Sequence, residues 1–437
     1  MTMFQLPEFP CIIIRHLRQS GYEAYVVGGA VRDLCLQRPV VDWDITTSAN
    51  HAIIKRVFKD FKHFSLKHET VTLVHEGRHF EITPFRGVKG SSRSIRQDLG
   101  ARDFTVNAMA FDVQQNRIID PYQGRLDLSI KVIRAVKNPR DRFTEDPLRL
   151  LRAIRLAAEL RFQIEPTTRQ TMAKMADQLK KPARERIRAE LMKILLVPKP
   201  SRAFSAMVQT NLLPYLLPEL SEGYRKRQNP HHHQYTIYKH ILVTVDQIQS
   251  DPILRLTALL HDIAKPRVRK KTNGQFRFIG HETASADMAK NIMERFGFSH
   301  AEIEKVTILI REHMMDYHPE WSDGAIRKLI QRVGVDNIDD LLKLRRADLL
   351  AHGHLDNKIK LLTMLEKRIR QLSQKPFIIK MQELAITGKE VMRILELSPG
   401  PKIGHVLHLL LDKVIEDPYL NTKKNLCKML QNKSFEV

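Results

Sequence analysis

The hydrophobic rhythm of this chain changes once, and that change limits what it can fold into. Up to about residue 130, apolar residues come in short β-branched runs cut by turn residues; from Asp146 onward they recur at helical spacing. Residues 22–27 form such a run, Gly28-Gly29 ends it, and residues 30–36 then take helical periodicity. Residues 41–46 alternate apolar and acidic positions, and 70–74 and 79–83 flank Glu76-Gly77 as a predicted hairpin. Pro147 sits at a first-turn position, after which Leu148, Leu151, Ile154 and Ala158 make one apolar stripe. Helix then follows helix, punctuated at Pro198 and Pro200, Pro214 and Pro218, Asn229-Pro230, and between Ser398 and Pro401. The predicted fold class is a mixed α/β head followed by a long all-α body. Its segments are expected at 1–135, 136–225, 226–355 and 356–437.

Charge says what such a chain meets. Among 437 residues, 72 Lys and Arg stand against 49 Asp and Glu, a net +23, which favours a polyanionic partner such as nucleic acid. A hydrophobic share of 43% with 28% charged residues excludes a disordered chain, a collagen-like repeat and a small disulfide scaffold. The longest apolar runs, such as 256–260 and 407–411, fall far short of the roughly 20 residues a membrane span needs. The opening MTMFQLPEFPCIII lacks a basic n-region and does not read as a signal peptide. Cys11, Cys35 and Cys427 are odd in number and lack metal-site spacing, so a cytoplasmic location is expected. No motif fixes an oligomeric state.

Two constellations carry chemistry. In Val41-Asp42-Trp43-Asp44-Ile45 a strand period of two places Asp42 and Asp44 on one face. Paired carboxylates repel unless a cation sits between them, and hard oxygen donors suit Mg2+, the usual clamp for in-line phosphoryl transfer. Gly28-Gly29 before a helix, with Arg32 one turn in, is a phosphate-cradling arrangement. Farther on, Arg102 and Asp103 sit beside the apolar residues Phe104 and Val106. At helical spacing, Asp146, Arg149, Arg152 and Arg155 form a slowly turning stripe whose acid and arginine can match a base edge.

GGAVRD followed by DWD, then RDFTVNAMAFD, DPYQGRLDL and EDPLRLLRAIR, resembles the class II tRNA nucleotidyltransferases, which include CCA-adding enzymes and bacterial poly(A) polymerases. The resemblance covers about residues 20–225 and makes the head a nucleotidyltransferase domain. It implies template-independent transfer from CTP and ATP to the 3′ end of tRNA, with Mg2+. It also implies that Gly28, Gly29, Arg32 and Arg102 contact the incoming triphosphate and that Asp42 and Asp44 are the catalytic metal-holding pair. Glu81 is a candidate third carboxylate. Asp146 and Arg149 would read the base, with Arg152 and Arg155 near the phosphates. Glu185-Arg186 and Glu190 match a further family motif and read as structural, with Arg186 and Glu190 as an i, i+4 pair.

The second constellation is His240, His261-Asp262, His281, His313 and Asp348. Imidazoles with carboxylates suit divalent transition metals and the activation of a water against a phosphoester. HDIAKP and this residue order resemble the HD phosphohydrolase superfamily, so an HD-type helical domain is expected within the body. Joined to the head, the segment resembles the bacterial multifunctional CCA proteins. That implies Ni, Mn or Co and a 2′,3′-cyclic phosphodiesterase or phosphatase activity. ITGKEVMRILELSPGPKIG resembles the family tail, an expected tRNA contact.

Two departures shape the expectations. Ala101 replaces the first arginine of the family's RRDFT, and residues 87–101 form a shorter loop than is usual. The short loop favours CC addition with a slow or absent final A as the alternative to full CCA addition, whereas contacts from Arg96 and Asp98 to Asp146 and Arg149 would favour adding the A. A poly(A) polymerase is a further alternative, although EGRHFEI lacks that group's second basic residue. An RNA-binding HD hydrolase with an inactive transferase site is the last.

Overall fold

The computed structural model describes residues 4–65, 70–86, 94–228, 234–353, 356–374 and 380–431. Two compact units divide the chain, Met1–Pro218 and Glu219–Val437. The expected junction near 135 lies inside the first unit, and the one near 355 lies inside the second.

The first unit is built on a seven-stranded sheet in the order β3-β4-β5-β2-β1-β6-β7. Its strands are β1 Ala24–Val27, β2 Trp43–Thr47, β3 His63–Ser65, β4 Val71–His75, β5 Arg78–Pro84, β6 Ala110–Asp112 and β7 Arg117–Ile119. Only β2 and β5 run parallel, so the sheet is mixed. Every residue of β1 is buried, as befits a central apolar strand. Glu76 and Gly77 both take positive φ, the two-residue turn that the β4–β5 register requires. Val26, Ile45, Leu73 and Ile82 are at most 1% exposed, each worth about 1.5–3 kcal/mol of burial.

A separate two-stranded contact, β8 Val132–Ile133 with β9 Gln163–Ile164, joins the helical part of this unit. The helix Arg149–Leu160 buries Leu151, Ile154 and Ala158 of the predicted stripe, and Leu148, the fourth member, is buried at its N-cap. The stripe does not begin at Asp146, however. The helix Pro139–Glu145 ends there, Asp146 is extended (φ −146°), and Pro147 and Leu148 turn the chain before Arg149. A residue before proline avoids helical backbone, which explains the break.

The loop expected at 87–101 is also different in its described part. Residues 87–93 lie outside the described residues. Ser94 caps a helix, Ile95–Gly100, with a reciprocal Ser94–Gln97 capping box. Asp98 is buried there, accepting from the Arg86 amide at 3.0 Å and from Arg102 Nε at 3.1 Å, and is not available to Asp146 or Arg149.

The second unit is mainly helical. Ile237–Gln247, Pro252–Leu260, His281–Arg295, His300–Glu312 and Ile338–His352 surround the second constellation. The sequence reading missed β3, β6–β7 and β8–β9 in the first unit, and in this one the pair β10 Lys270–Thr272 and β11 Gln275–Arg277, turned by Asn273 and Gly274 at positive φ. Residues 384–430 enclose a separate apolar cluster around Val391, Val406, Leu410, Val414 and Leu426.

Candidate active sites

In the first unit, β1 delivers Gly28 into a conformation that L side chains avoid (φ +73°, ψ −134°). A Cβ there would lie 2.9 Å from Arg102 Nη1 and 3.2 Å from Asp44 Oδ2, so the glycine is required by space as well as by backbone. Gly28, Arg102 and Asp44 therefore meet at one point. Asp44 lies on β2, opposite Glu81 of β5. Asp42 is exposed and precedes the strand instead of belonging to it. Burial raises the Asp44 carboxyl pKa; Arg102 opposes that rise and Asp42 adds to it. Glu81 is raised by burial and then by Asp44 and Asp42. Asp44 and Glu81 thus carry unfavourable charge, to which Asp42 adds, the situation a hard cation relieves.

Arginines frame the acids. Arg32 is buried, with its fork on Asp33 and Nη1 donating to Asn107 Oδ1 at 3.0 Å. Asn107 donates to Asp103 Oδ1, and Arg152 lies 2.9 Å from Asp103 Oδ2. Burial works against the Asp103 carboxylate, but Arg152, the Phe104 amide and Asn107 together hold its pKa below the usual carboxylate range.

Asp146 and Arg149 do not bond to each other. Asp146 Oδ2 accepts from Arg186 Nη2 at 2.9 Å, while Arg149 donates to Glu145 Oε2 at 2.9 Å and to the Ala101 carbonyl at 3.0 Å. Arg149 lines a cavity of about 430 Å3 with Arg86, Lys137 and Arg142. The expected Arg186–Glu190 pair is not formed either. Glu190 is buried and accepts from Arg155 Nε at 2.6 Å, tying the helix Arg149–Leu160 to Arg184–Leu196. A buried carboxylate takes the partner that reaches it from the facing helix, and that engages Arg155 in packing.

In the second unit all six predicted residues converge in the interior. His240, His261 and Asp262 are fully buried, and His281, His313 and Asp348 are at most 5% exposed. Asp262 faces two ways. Its Oδ2 lies 3.3 Å from the Nε2 atoms of His240 and His261, and its Oδ1 lies 3.3 Å from His281 Nε2 and 3.7 Å from His313 Nε2. Asp348 Oδ1 is 3.0 Å from His240 Nε2 and 3.5 Å from His261 Nε2. Two donor sets, His240–His261–Asp348 and His261–Asp262–His313, each fall within 4.8 Å.

Backbone geometry fixes these imidazoles. Nδ1 of His261, His281 and His313 lies 2.8, 2.8 and 2.6 Å from the carbonyls of Ala258, Phe278 and Ile310. A carbonyl only accepts, so each Nδ1 carries a proton, and Nε2 is the atom that presents a lone pair when the ring is neutral. His261 Nε2 and His281 Nε2 are buried without a hydrogen-bond partner. Imidazoles and carboxylates gathered at this spacing are donor types that a divalent transition metal accepts. Burial alone would lower the His261 pKa, but Asp262 and Asp348 lift it to about 10, so a proton takes the place of a cation there.

Three neighbours were missed in the sequence. Lys265 Nζ sits 2.5 Å from Asp262 Oδ2, and Arg345 Nη1 is 2.9 Å from Asp348 Oδ2. The His352 ring lies 4.7 Å from that of His240. Their signal was the i+3, i−3 and i+4 spacing from the two aspartates.

Known proteins resemble this chain along its length. Residues 24–134 match the "Poly A polymerase head domain" family, and 161–223 match "Probable RNA and SrmB- binding site of polymerase A". Residues 279–430 match "tRNA nucleotidyltransferase domain 2 putative". The CCA-adding enzyme of Pediococcus pentosaceus is 30% identical over 422 residues, 94% of this chain and 93% of that protein. The A-adding tRNA nucleotidyltransferase of Deinococcus radiodurans is 33% identical over 72% of this chain and 74% of its own. With the Lactobacillus johnsonii CCA-adding enzyme the identity is 41%, over 46% of this chain and about half (53%) of that protein. The Bacillus stearothermophilus CCA-adding enzyme, solved in complex with CTP, superposes with a TM-score of 0.76 at 26% identity, covering 98% of both chains. A mixed-sheet head bearing paired acids, followed by a mostly helical body, defines a nucleotidyltransferase of the poly(A) polymerase class. Within that class the chain belongs to the CCA-adding enzyme family of tRNA nucleotidyltransferases.

Proposed function

We propose that this protein adds C, C and A to the 3′ end of tRNA without a template, from CTP and ATP, with pyrophosphate leaving at each step. The observation that carries the reading is the meeting of Gly28, Arg102 and Asp44 beside Asp42 and Glu81, in a chain that aligns with a CCA-adding enzyme over 94% of its length. The RNA 3′-hydroxyl attacks the α-phosphorus and the bond to pyrophosphate breaks. Asp42, Asp44 and Glu81 offer only oxygen donors, which fits Mg2+, and the bound ion would stabilise charge on the attacking and leaving oxygens. Gly28 leaves room for the phosphates, and Arg32 and Arg102 neutralise them. Asp146 and Arg149 present an acceptor and a donor fork to the base edge once released from Arg186 and Glu145. A tRNA substrate places this work in the cytoplasm, with no membrane partner.

The test is end-sequencing of a tRNA transcript lacking its terminus after incubation with CTP and ATP. Completion to CCA is expected. A stall after the second C would make the protein a CC-adding enzyme, and extension of unstructured RNA with ATP alone would make it a poly(A) polymerase.

A second reading is favoured by the buried histidine cluster: a phosphohydrolase site of HD type. His240, His261, Asp262 Oδ2 and Asp348 Oδ1 would hold one divalent transition metal, and Asp262 Oδ1, His281 and His313 a second. The bound ions would supply an activated water. Lys265, beside a cavity of about 490 Å3, is placed to meet the phosphoryl group of an ester. Metal analysis of the purified protein, with hydrolysis of 2′,3′-cyclic AMP under Ni2+, Mn2+ or Co2+, tests it. Absence of both bound metal and hydrolysis would overturn it.

A further inference from the structure

The hairpin β10–β11 carries a charge pattern that its own fold does not justify. Between Ile263 and His281 the chain has six cations, Lys265, Arg267, Arg269, Lys270, Lys271 and Arg277, and no acid. Lys270 stands directly opposite Arg277 in the antiparallel register. Like charges in that position weaken a strand pair, and a two-stranded ribbon has little stability to spare. Arg267 is taken up by Glu222 at 2.7 Å, and Arg269 packs 3.5 Å over the Phe276 ring. Lys270, Lys271 and Arg277 form no ion pair among the described residues.

The ribbon leads to the histidine cluster. Arg277, Phe278 and Ile279 line one side of the cavity of about 490 Å3 that reaches His281, His313 and Asp348. Ile279 is 82% exposed, an apolar side chain held out at that mouth, and Lys265 Nζ lies 5.7 Å from the Phe278 ring centre. A small phosphoester would need only the floor of the cavity. Unpaired cations on both strands, with Phe276 and Phe278 flanking Arg277 and only one face of Phe276 taken by Arg269, match a longer ligand, with phosphates for the cations and bases for the open ring faces.

We propose that the basic hairpin β10–β11 is a docking arm for single-stranded RNA whose terminal phosphoester enters the histidine–aspartate cavity. The proposal rests on the phosphohydrolase reading of that cavity. It separates the arm, which binds the chain, from the cluster, which acts on the end. An acidic peptide would meet the cations but leave the aromatic faces unmatched.

The test uses the full-length protein and the double variant K270Q/K271Q, both positions being exposed and outside the cavity lining. Two substrates are compared under Mn2+ or Ni2+: bis(p-nitrophenyl) phosphate, and a short oligouridylate ending in a 2′,3′-cyclic phosphate. The variant is expected to raise KM for the oligonucleotide about tenfold and to flatten its salt dependence by about 1.4 in log–log slope, roughly 0.7 per lost phosphate contact. Turnover of the small diester is expected to stay unchanged. An unchanged oligonucleotide KM, or equal loss on both substrates, would overturn the arm. Inhibition by polyglutamate as strong as by uncleavable oligouridylate would overturn the choice of RNA. If wild type hydrolyses neither substrate under any divalent ion, the phosphohydrolase reading itself fails and the arm fails with it.

Discussion

Asp44 and Glu81 are register partners across the parallel pair β2–β5, and both carboxyl pKa values lie above their ordinary range, chiefly through burial. In the folded protein without a cation, these acids hold protons more tightly than in the unfolded chain. Their contribution to stability is therefore greatest at low pH and is lost as pH rises through the folded values. A bound cation reverses that sign. Asp44→Asn should raise Tm in EDTA at neutral pH, whereas Mg2+ should raise the Tm of wild type more than that of the variant. The double change Asp42→Ala, Asp44→Ala should abolish nucleotide addition and spare phosphoesterase activity. Addition near the wild-type rate would remove the pair from the chemistry.

Base choice should depend on Asp146 and Arg149, although they point to different partners. Asp146→Ala or Arg149→Ala should blur selection of CTP and ATP over UTP and GTP, because each lost base-edge contact is worth about 1–3 kcal/mol. Arg186→Ala frees Asp146 and should alter KM for nucleotide more than it alters selectivity. Misincorporation assays with each nucleotide alone separate these outcomes. Unchanged selectivity in both Asp146 and Arg149 variants would move recognition elsewhere.

Asp103 ties Arg152, Asn107 and the Phe104 amide into one network reaching Arg32. Its carboxyl pKa is lowered despite burial, so its stabilisation is present above the unfolded value of about 4 and is lost as pH falls through the folded one. Asp103→Ala should cost about 2–3 kcal/mol, since it leaves buried donors unmatched. Chemical denaturation at pH 7 and at low pH checks this: the difference between variant and wild type should shrink in acid.

Asp262 is the residue shared by both halves of the histidine cluster. Asp262→Ala should remove bound transition metal and phosphodiesterase activity together, while nucleotide addition continues. Elemental analysis is the primary readout. Retention of full metal content by the variant would show that the donors lie elsewhere.

The sequence disclosed these sites unevenly, for physical reasons. The β4–β5 hairpin was legible because Glu76-Gly77 is a local turn signal, and the convergence of the six cluster residues was legible because their types and order resemble a known motif. The β10–β11 ribbon carried an Asn273-Gly274 turn, but its strands have few apolar residues, so no period of two stood out. Asp146 was misplaced on a helix because spacing of three outweighed the proline after it. The Arg186–Asp146 and Arg155–Glu190 bonds join residues 40 and 35 positions apart, and no local pattern chooses a partner at that range.

Because His261, His281 and His313 are oriented by the carbonyls of Ala258, Phe278 and Ile310, their aim is set chiefly by main chain, with Glu282 Oε2 also 3.3 Å from His281 Nδ1. Any residue supplies a carbonyl. The positions behind these imidazoles are thus free to drift in mutation while the donor geometry persists, so long as the helix ends stay put. A lineage with no further use for the cluster would then lose it abruptly, by replacement of a histidine or aspartate, and not through gradual loosening of the surrounding core.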